Sequence, residues 1–247
     1  IADSAATFSK FSGFEVFNAA PAATDTFTLS NFTNNSFTTV TLGDVGNAAL
    51  VIDNAPDTLT DLTIVAGSAG DTYTVNRLVD GTANTVNITH SATGTISITD
   101  LNIANEEIVT VNAGALATDD VTYTNMDLSD ATSLTISGLG DFIVTNAHTG
   151  TLLTTMDASA SSGTITINST NSTGAITATA GSGVLTFIGG IRADTINGGA
   201  GVDVLTGGTG NDIINGNGGS DTTLDGGIGD DTINGGAGAD EITGNVG

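Results

Sequence analysis

Six aspartates recur near the C-terminal end of this chain: Asp194, Asp203, Asp212, Asp221, Asp231 and Asp240. Successive members are nine residues apart, except for one ten-residue step between Asp221 and Asp231. A large aliphatic follows each of them, two residues on or, at Leu224, three: Ile196, Leu205, Ile214, Leu224, Ile233 and Ile242. Glycines precede them, so residues 189–247 read G-G-x-G-x-D-x-U-x, with U the aliphatic. Carboxylate oxygens are hard donors. Glycine turns can aim backbone carbonyls the same way, because no Cβ restricts their backbone angles. Six to eight such oxygens at about 2.3–2.6 Å make a Ca²⁺ shell. The chemistry this pattern can do is therefore Ca²⁺ binding, and a nonapeptide of this kind marks a parallel β-roll.

The elements that must position the carboxylates follow from the repeat. Each unit splits into a glycine turn and a short D-x-U-x strand whose aliphatic points inward. Two units make one coil of a right-handed solenoid, so turns stack on the same edge at every second unit. Asp194, Asp212 and Asp231 line one edge, and Asp203, Asp221 and Asp240 line the other. Carboxylates about 4.8 Å apart along each edge oppose folding unless a cation intervenes. Between full turn pairs four Ca²⁺ fit, at 194/212, 203/221, 212/231 and 221/240. The expected ligands are the six aspartates and the carbonyls of Gly199, Gly201, Gly208, Gly210, Gly219, Gly227, Gly229, Gly236 and Gly238. Two positions depart from the pattern. Asn217 replaces a second glycine and tolerates left-handed angles. Arg192 replaces a third glycine and is expected to end the ladder there or to pair with Asp194.

Upstream, residues 1–188 alternate apolar residues with Thr, Asn and Ser. Examples are TFTLSNF (26–32), LTIVAG (62–67), TVNITH (85–90), TISITDLNI (95–103), EIVTVNA (107–113), SLTISG (133–138), FIVTNA (142–147), TITIN (164–168), AITATA (175–180) and VLTFIG (184–189). Period-two alternation with Gly, Asn, Asp and Ser between the runs predicts short strands with one buried face. Asp80–Gly81 is the one dipeptide placed to make a two-residue hairpin. The fold class expected is all-β: a right-handed parallel β-solenoid over 1–188 running into a β-roll over 189–247. A separate β-sandwich over 1–80 is the alternative. The segment GSAGDTYTVN (67–76) reads as a degenerate turn-plus-strand unit, with Asp71 either a further ligand or part of an ordinary glycine turn. Asp100, Glu106, Glu107, Asp127 and Asp130 are corner acids that either bind further ions or face solvent.

The net charge is −24 over 247 residues, with Lys10, Arg77 and Arg192 the only lysine and arginine residues. Phosphate backbones and anionic lipid both need basic partners, which argues against nucleic acid and bare membrane. With no cysteine, disulfides are excluded and rigidity falls to metal and stacking. The chain begins without Met and stops inside a seventh unit, as expected of part of a longer polypeptide. Enzyme signatures are missing too. There is no H-E-x-x-H and no G-x-S-x-G. Glu106 and Glu107 are neighbours on one strand and so face opposite ways, as do Asp119 and Asp120. The expectation is a non-enzymatic chain in which His90 and His148 are structural or exposed.

Residues 189–247 resemble the calcium-binding RTX repeat family, whose members leave bacteria by type I secretion. SKFSGFEVFNAA (9–20) and LNIANEEIVTVNAG (101–114) look like a coil phrase of calcium-dependent bacterial surface-layer (S-layer) proteins of the Caulobacter type. TLLTTMDASASSGTITI (151–167), followed by VLTFIGGIRADTINGG (184–199), resembles that family's passage from solenoid into RTX turns. The resemblance implies a non-enzymatic, extracellular, self-assembling lattice protein of the bacterial cell surface. Its partners would be copies of itself and a surface polysaccharide held by a region not in this chain. The other classes are an RTX adhesin or biofilm-matrix binding module, and the non-catalytic Ca²⁺-binding tail of a secreted enzyme or toxin.

Overall fold

The computed structural model describes residues 16–19, 25–28, 38–43, 49–67, 69–77, 81, 83–91, 94–103 and 105–247. Every regular element among them is a strand, and every strand pairing is parallel. The strands fall into two 11-stranded sheets. One runs from Val16–Ala19 to Thr232–Asn234, the other from Asp25–Thr28 to Ile242–Thr243. The chain visits the sheets alternately, so each strand hydrogen-bonds to the strand one coil before and one coil after it. That is a parallel β-solenoid.

Local sequence explains why. Strands such as Thr39–Leu42 and Asp61–Ile64 alternate half-exposed and buried positions, as their Thr/Asp and Leu/Ile/Val alternation requires. Parallel register then stacks like on like. Leu134, Met156, Ala178, Ile196, Ile214 and Ile233 form one inward column. Phe187, Leu205, Leu224 and Ile242 form another in the facing sheet. Of the six repeat aliphatics, Ile196, Leu205, Ile214 and Leu224 are fully buried. Ile233 is partly buried, and Ile242, in the last coil of the chain, is 51% exposed. Each buried side chain of this size contributes about 1.5–3 kcal/mol.

Both sheets continue through residue 189 without a break. Thr177–Ala180 pairs with Thr195–Asn197, and Leu185–Ile188 pairs with Val204–Thr209. The described strands inside 1–80 join the same two sheets, and none of their pairings is the antiparallel kind a β-sandwich would need. Asp80 lies outside the described residues, and the flanking strands Thr72–Arg77 and Thr85–His90 belong to different sheets. Solenoid connectivity removes the need for tight hairpin loops. In SKFSGFEVFNAA the structure describes only residues 16–19, as a strand.

Candidate metal centre

The repeat turns stack on two edges, as the nine-residue period demands. On one edge the Asp194 amide donates to Asp212 Oδ1 at 2.7 Å, and the Asp212 amide donates to Asp231 Oδ1 at 2.8 Å. On the other, the Asp203 amide donates to Asp221 Oδ1 at 2.9 Å, and the Asp221 amide donates to Asp240 Oδ1 at 3.1 Å. Each carboxylate thus reaches back one coil and clamps the aspartate before it. The ladders start on upstream amides, Ile176 to Asp194 and Leu185 to Asp203, both at 2.7 Å.

The second oxygen of each carboxylate has a different environment. Oδ2 of Asp203, Asp212, Asp221 and Asp231 is buried and has no hydrogen-bond partner. A buried carboxylate oxygen left so costs several kcal/mol of lost hydration. Asp194, Asp203, Asp212 and Asp221 are all nearly fully buried. Burial lifts the carboxyls of Asp203 and Asp212 to about 6, against the partial relief of one amide bond each, and the stacked neighbours push the same way. Burial also raises Asp194 and Asp221.

The first glycine of each unit makes this arrangement possible. A Cβ on Gly198, Gly207, Gly216, Gly226 or Gly235 would collide with Oδ2 of Asp203, Asp212, Asp221, Asp231 or Asp240 in turn. The same points lie 3.0, 2.5 and 2.5 Å from the carbonyl oxygens of Gly216, Gly226 and Gly235, for Gly198, Gly207 and Gly216 respectively. A carboxylate oxygen and a carbonyl oxygen from the next coil therefore converge with no donor hydrogen between them. Two such acceptors repel unless a cation or a proton joins them. The set is all oxygen and carries one negative charge per turn, which fits a hard divalent cation. Among the described residues no three His, Cys, Asp or Glu side chains draw together around one point, so any shell here combines single carboxylates with carbonyls and water.

The second- and third-position glycines named from the motif stack tightly from coil to coil. The second-glycine carbonyls are engaged in the coil-to-coil ladder: the Gly218 amide donates to Gly199 O at 2.9 Å and the Thr209 amide to Gly190 O at 3.0 Å. Gly199, Gly208, Gly227 and Gly236 have positive φ, and each faces a carbonyl of the preceding coil where a Cβ would be. The third glycines Gly201, Gly210, Gly219, Gly229 and Gly238 form a similarly tight stack against carbonyls of the preceding coil. The first glycines carry the carbonyls that converge with Oδ2. The signal for them was present, since they too recur every nine or ten residues.

Asp194 continues the ladder, and Gly207 O shares the space beside Gly189 with its Oδ2, with one difference. The Gly190 amide donates to its Oδ2 at 2.8 Å, so both oxygens are satisfied by backbone. Arg192 does not pair with Asp194; its exposed side chain donates from Nε to Thr173 O at 3.3 Å. Asn217 takes φ 70°, as its role at a glycine position requires.

The upstream acids are held by protein donors. Asp71 is buried and accepts from Tyr73 Oη at 3.3 Å. Asp100 accepts from Thr72 Oγ1 and Asn125 Nδ2, Glu107 from the Asn84 amide, and Asp127 from the Ser129 amide and Thr149 Oγ1. Glu106 forms a buried two-pronged pair with Arg77, at 2.6 and 2.8 Å. Asp130 has a partner as well. His90 and His148 are buried, and desolvation lowers each to about 4. His90 bridges Asn112 O at 3.0 Å and Tyr123 Oη at 2.5 Å, while His148 Nε2 meets Ser169 Oγ at 3.0 Å.

Compared with known families, residues 188–222 and 223–247 match the family model of the RTX calcium-binding nonapeptide repeat. The chain carries RTX calcium-binding repeats. Together the matched segments contain both aspartate ladders, and each ladder runs through the two. No curated protein and no solved structure matches the chain.

Proposed function

We propose that this is a non-catalytic, extracellular protein of the bacterial cell surface that completes its fold on Ca²⁺ and assembles with copies of itself into a lattice or filament. The observation that carries the Ca²⁺ part is the set of four buried, partnerless Oδ2 atoms, of Asp203, Asp212, Asp221 and Asp231. Asp203, Asp212 and Asp221 each have a converging first-glycine carbonyl, which makes them the principal ion positions, with Asp231 a fourth. Bound there, Ca²⁺ supplies the positive charge that keeps these carboxylates ionised inside the fold. The chain's residues do the rest. Oδ1 fixes each side chain, Oδ2 and the glycine carbonyl present the donors, and binding free energy becomes folding free energy.

Self-association is supported by exposed aliphatic side chains that recur at one repeat position on one edge, with a threonine among them. Thr209, Ile228 and Val246 stack in register, and Ile191 occupies the same repeat position one coil earlier. Ile191, Ile228 and Val246 are 52%, 60% and 70% exposed, on a chain of net charge −24. The non-catalytic reading is supported by the burial of both histidines and by the engagement of Glu106 with Arg77.

The test is a Ca²⁺ titration from EGTA to about 10 mM, above the affinity range of extracellular Ca²⁺ modules. Circular dichroism and negative-stain microscopy would be followed together, with Mg²⁺ as control. A Ca²⁺-specific gain of β signal with regular sheets or filaments is expected. Folding without assembly would leave the Ca²⁺ role and move the reading to an adhesin or an enzyme tail. No response to Ca²⁺ would overturn it.

A further inference from the structure

Every Asn–Gly dipeptide of the chain lies inside the repeats: Asn197–Gly198, Asn215–Gly216, Asn217–Gly218 and Asn234–Gly235. Three of the glycines, Gly198, Gly216 and Gly235, are first-position glycines, kept free of a Cβ because an aspartate Oδ2 fills that space. The same bareness removes the steric shield from the peptide nitrogen next to an asparagine side chain.

The asparagines are also stacked. Asn197, Asn215 and Asn234 are in register on one sheet, and Asn215 Nδ2 donates to Asn197 Oδ1 at 3.0 Å. In the fold the following nitrogens are occupied. The Gly198 amide donates to Asn215 O at 2.9 Å, Gly216 to Asn234 O at 2.8 Å, and Gly218 to Gly199 O at 2.9 Å. Asn197 and Asn215 end strands, whose extended backbone holds the side-chain carbonyl carbon away from the next nitrogen.

We infer that Asn197, Asn215 and Asn217 are fold-gated sites of spontaneous deamidation. In the open chain the glycine nitrogen attacks Cγ of the asparagine and loses its proton as ammonia leaves. The resulting succinimide ring then takes up one water and opens to aspartate or isoaspartate. No oxidant or enzyme is needed. In the folded ladder the nucleophile is committed and the geometry is closed. Modification is damaging here for two reasons. A carboxylate at Asn197 or Asn215 enters a column of stacked side chains about 4.8 Å apart. Isoaspartate also lengthens the backbone inside a three-residue strand, which breaks its register. A chain left unfolded is thereby retired from later folding. That Ca²⁺ is what closes the gate rests on the proposed function; the gating itself rests on the hydrogen bonds and register above.

The experiment incubates the chain at mildly alkaline pH in Ca²⁺, in EGTA and in guanidinium chloride, with peptide mass spectrometry at each asparagine and circular dichroism in parallel. Deamidation at Asn197, Asn215 and Asn217 is expected to be about tenfold or more faster in guanidinium than in the folded state. The EGTA rate is expected to follow the guanidinium rate. Refolding amplitude on return to Ca²⁺ should fall with the extent of modification, and N197Q/N215Q should slow that fall. Equal rates in guanidinium and in the folded chain would overturn the gating. A chain that stays folded and protected in EGTA, yet reacts in guanidinium, would sustain the gating and sink the Ca²⁺ reading instead.

Discussion

Replacing Asp212 by Asn separates the two duties of its carboxyl group. Oδ1 accepts from the Asp194 amide, and the amide oxygen of Asn can do the same. Oδ2 is buried without a partner, and the first-glycine carbonyl Gly226 O converges on the same space. An amide nitrogen in that place can donate to the carbonyl. Burial raises the Asp212 carboxyl from 3.8 to about 6. At about 1.4 kcal/mol per pKa unit this is about 3 kcal/mol against the ionised form near pH 7. In EGTA, D212N is therefore expected to stabilise the fold by up to about 3 kcal/mol, with about 1 kcal/mol more from the new hydrogen bond. In Ca²⁺ the sign reverses. An anionic ligand is gone, and the Ca²⁺ midpoint should rise by about tenfold or more. Guanidinium melts of both proteins, each in EGTA and in Ca²⁺, read the crossing directly. A D212N protein that is less stable than the parent in EGTA, or that keeps the parent's Ca²⁺ midpoint, would refute the account of Oδ2.

Without Ca²⁺, stability should be greatest below about pH 4 with respect to Asp203 and Asp212, and should decline as pH rises from 3.8 through about 6. The reason is that their folded values are raised and the folded state holds protons the open chain has released. Melts across pH in EGTA check this, and saturating Ca²⁺ should flatten or invert the slope. Gly216→Ala would drive a Cβ onto Asp221 Oδ2 and to 2.5 Å from Gly235 O, so a loss of about 1–3 kcal/mol and a weakened Ca²⁺ response are expected. Gly244→Ala meets nothing within 4 Å and serves as the neutral control in the same titration. Arg77→Met strands the buried Glu106 and should cost about 3–5 kcal/mol by denaturant melt, most of it recovered when Glu106→Leu is added.

Much of the architecture is legible in local sequence, because in a solenoid local pattern and global fold share one period. TVNITH and SLTISG coincide with the strands Thr85–His90 and Ser133–Gly138. Strands such as Val121–Asp127 and Thr155–Ser161 escape notice, because YTNMD and DASAS interrupt the alternation and only neighbouring coils define their register. The edges on which the aspartates stack follow from spacing alone. Spacing does not say which oxygen of each carboxylate is free, nor that the first glycine supplies the converging carbonyl. Those depend on the offset between coils, about one strand spacing, which composition does not encode. The capping of Asp194 by the Gly190 amide is likewise a product of backbone path rather than of residue type.

Strand length along the stack has a mechanical consequence. In the sheet that holds the Asn197 column, upstream strands reach seven residues at Thr155–Ser161, whereas Thr195–Asn197, Ile213–Asn215 and Thr232–Asn234 have three each. Under tension along the axis the coils bear load in series, so the whole rod is only as strong as its weakest rung. The rungs with the fewest backbone bonds in that sheet are those flanked by the aspartate clamps. The clamps act as rivets at the shortest rungs of that sheet, and its tensile strength should therefore be set at its repeat end.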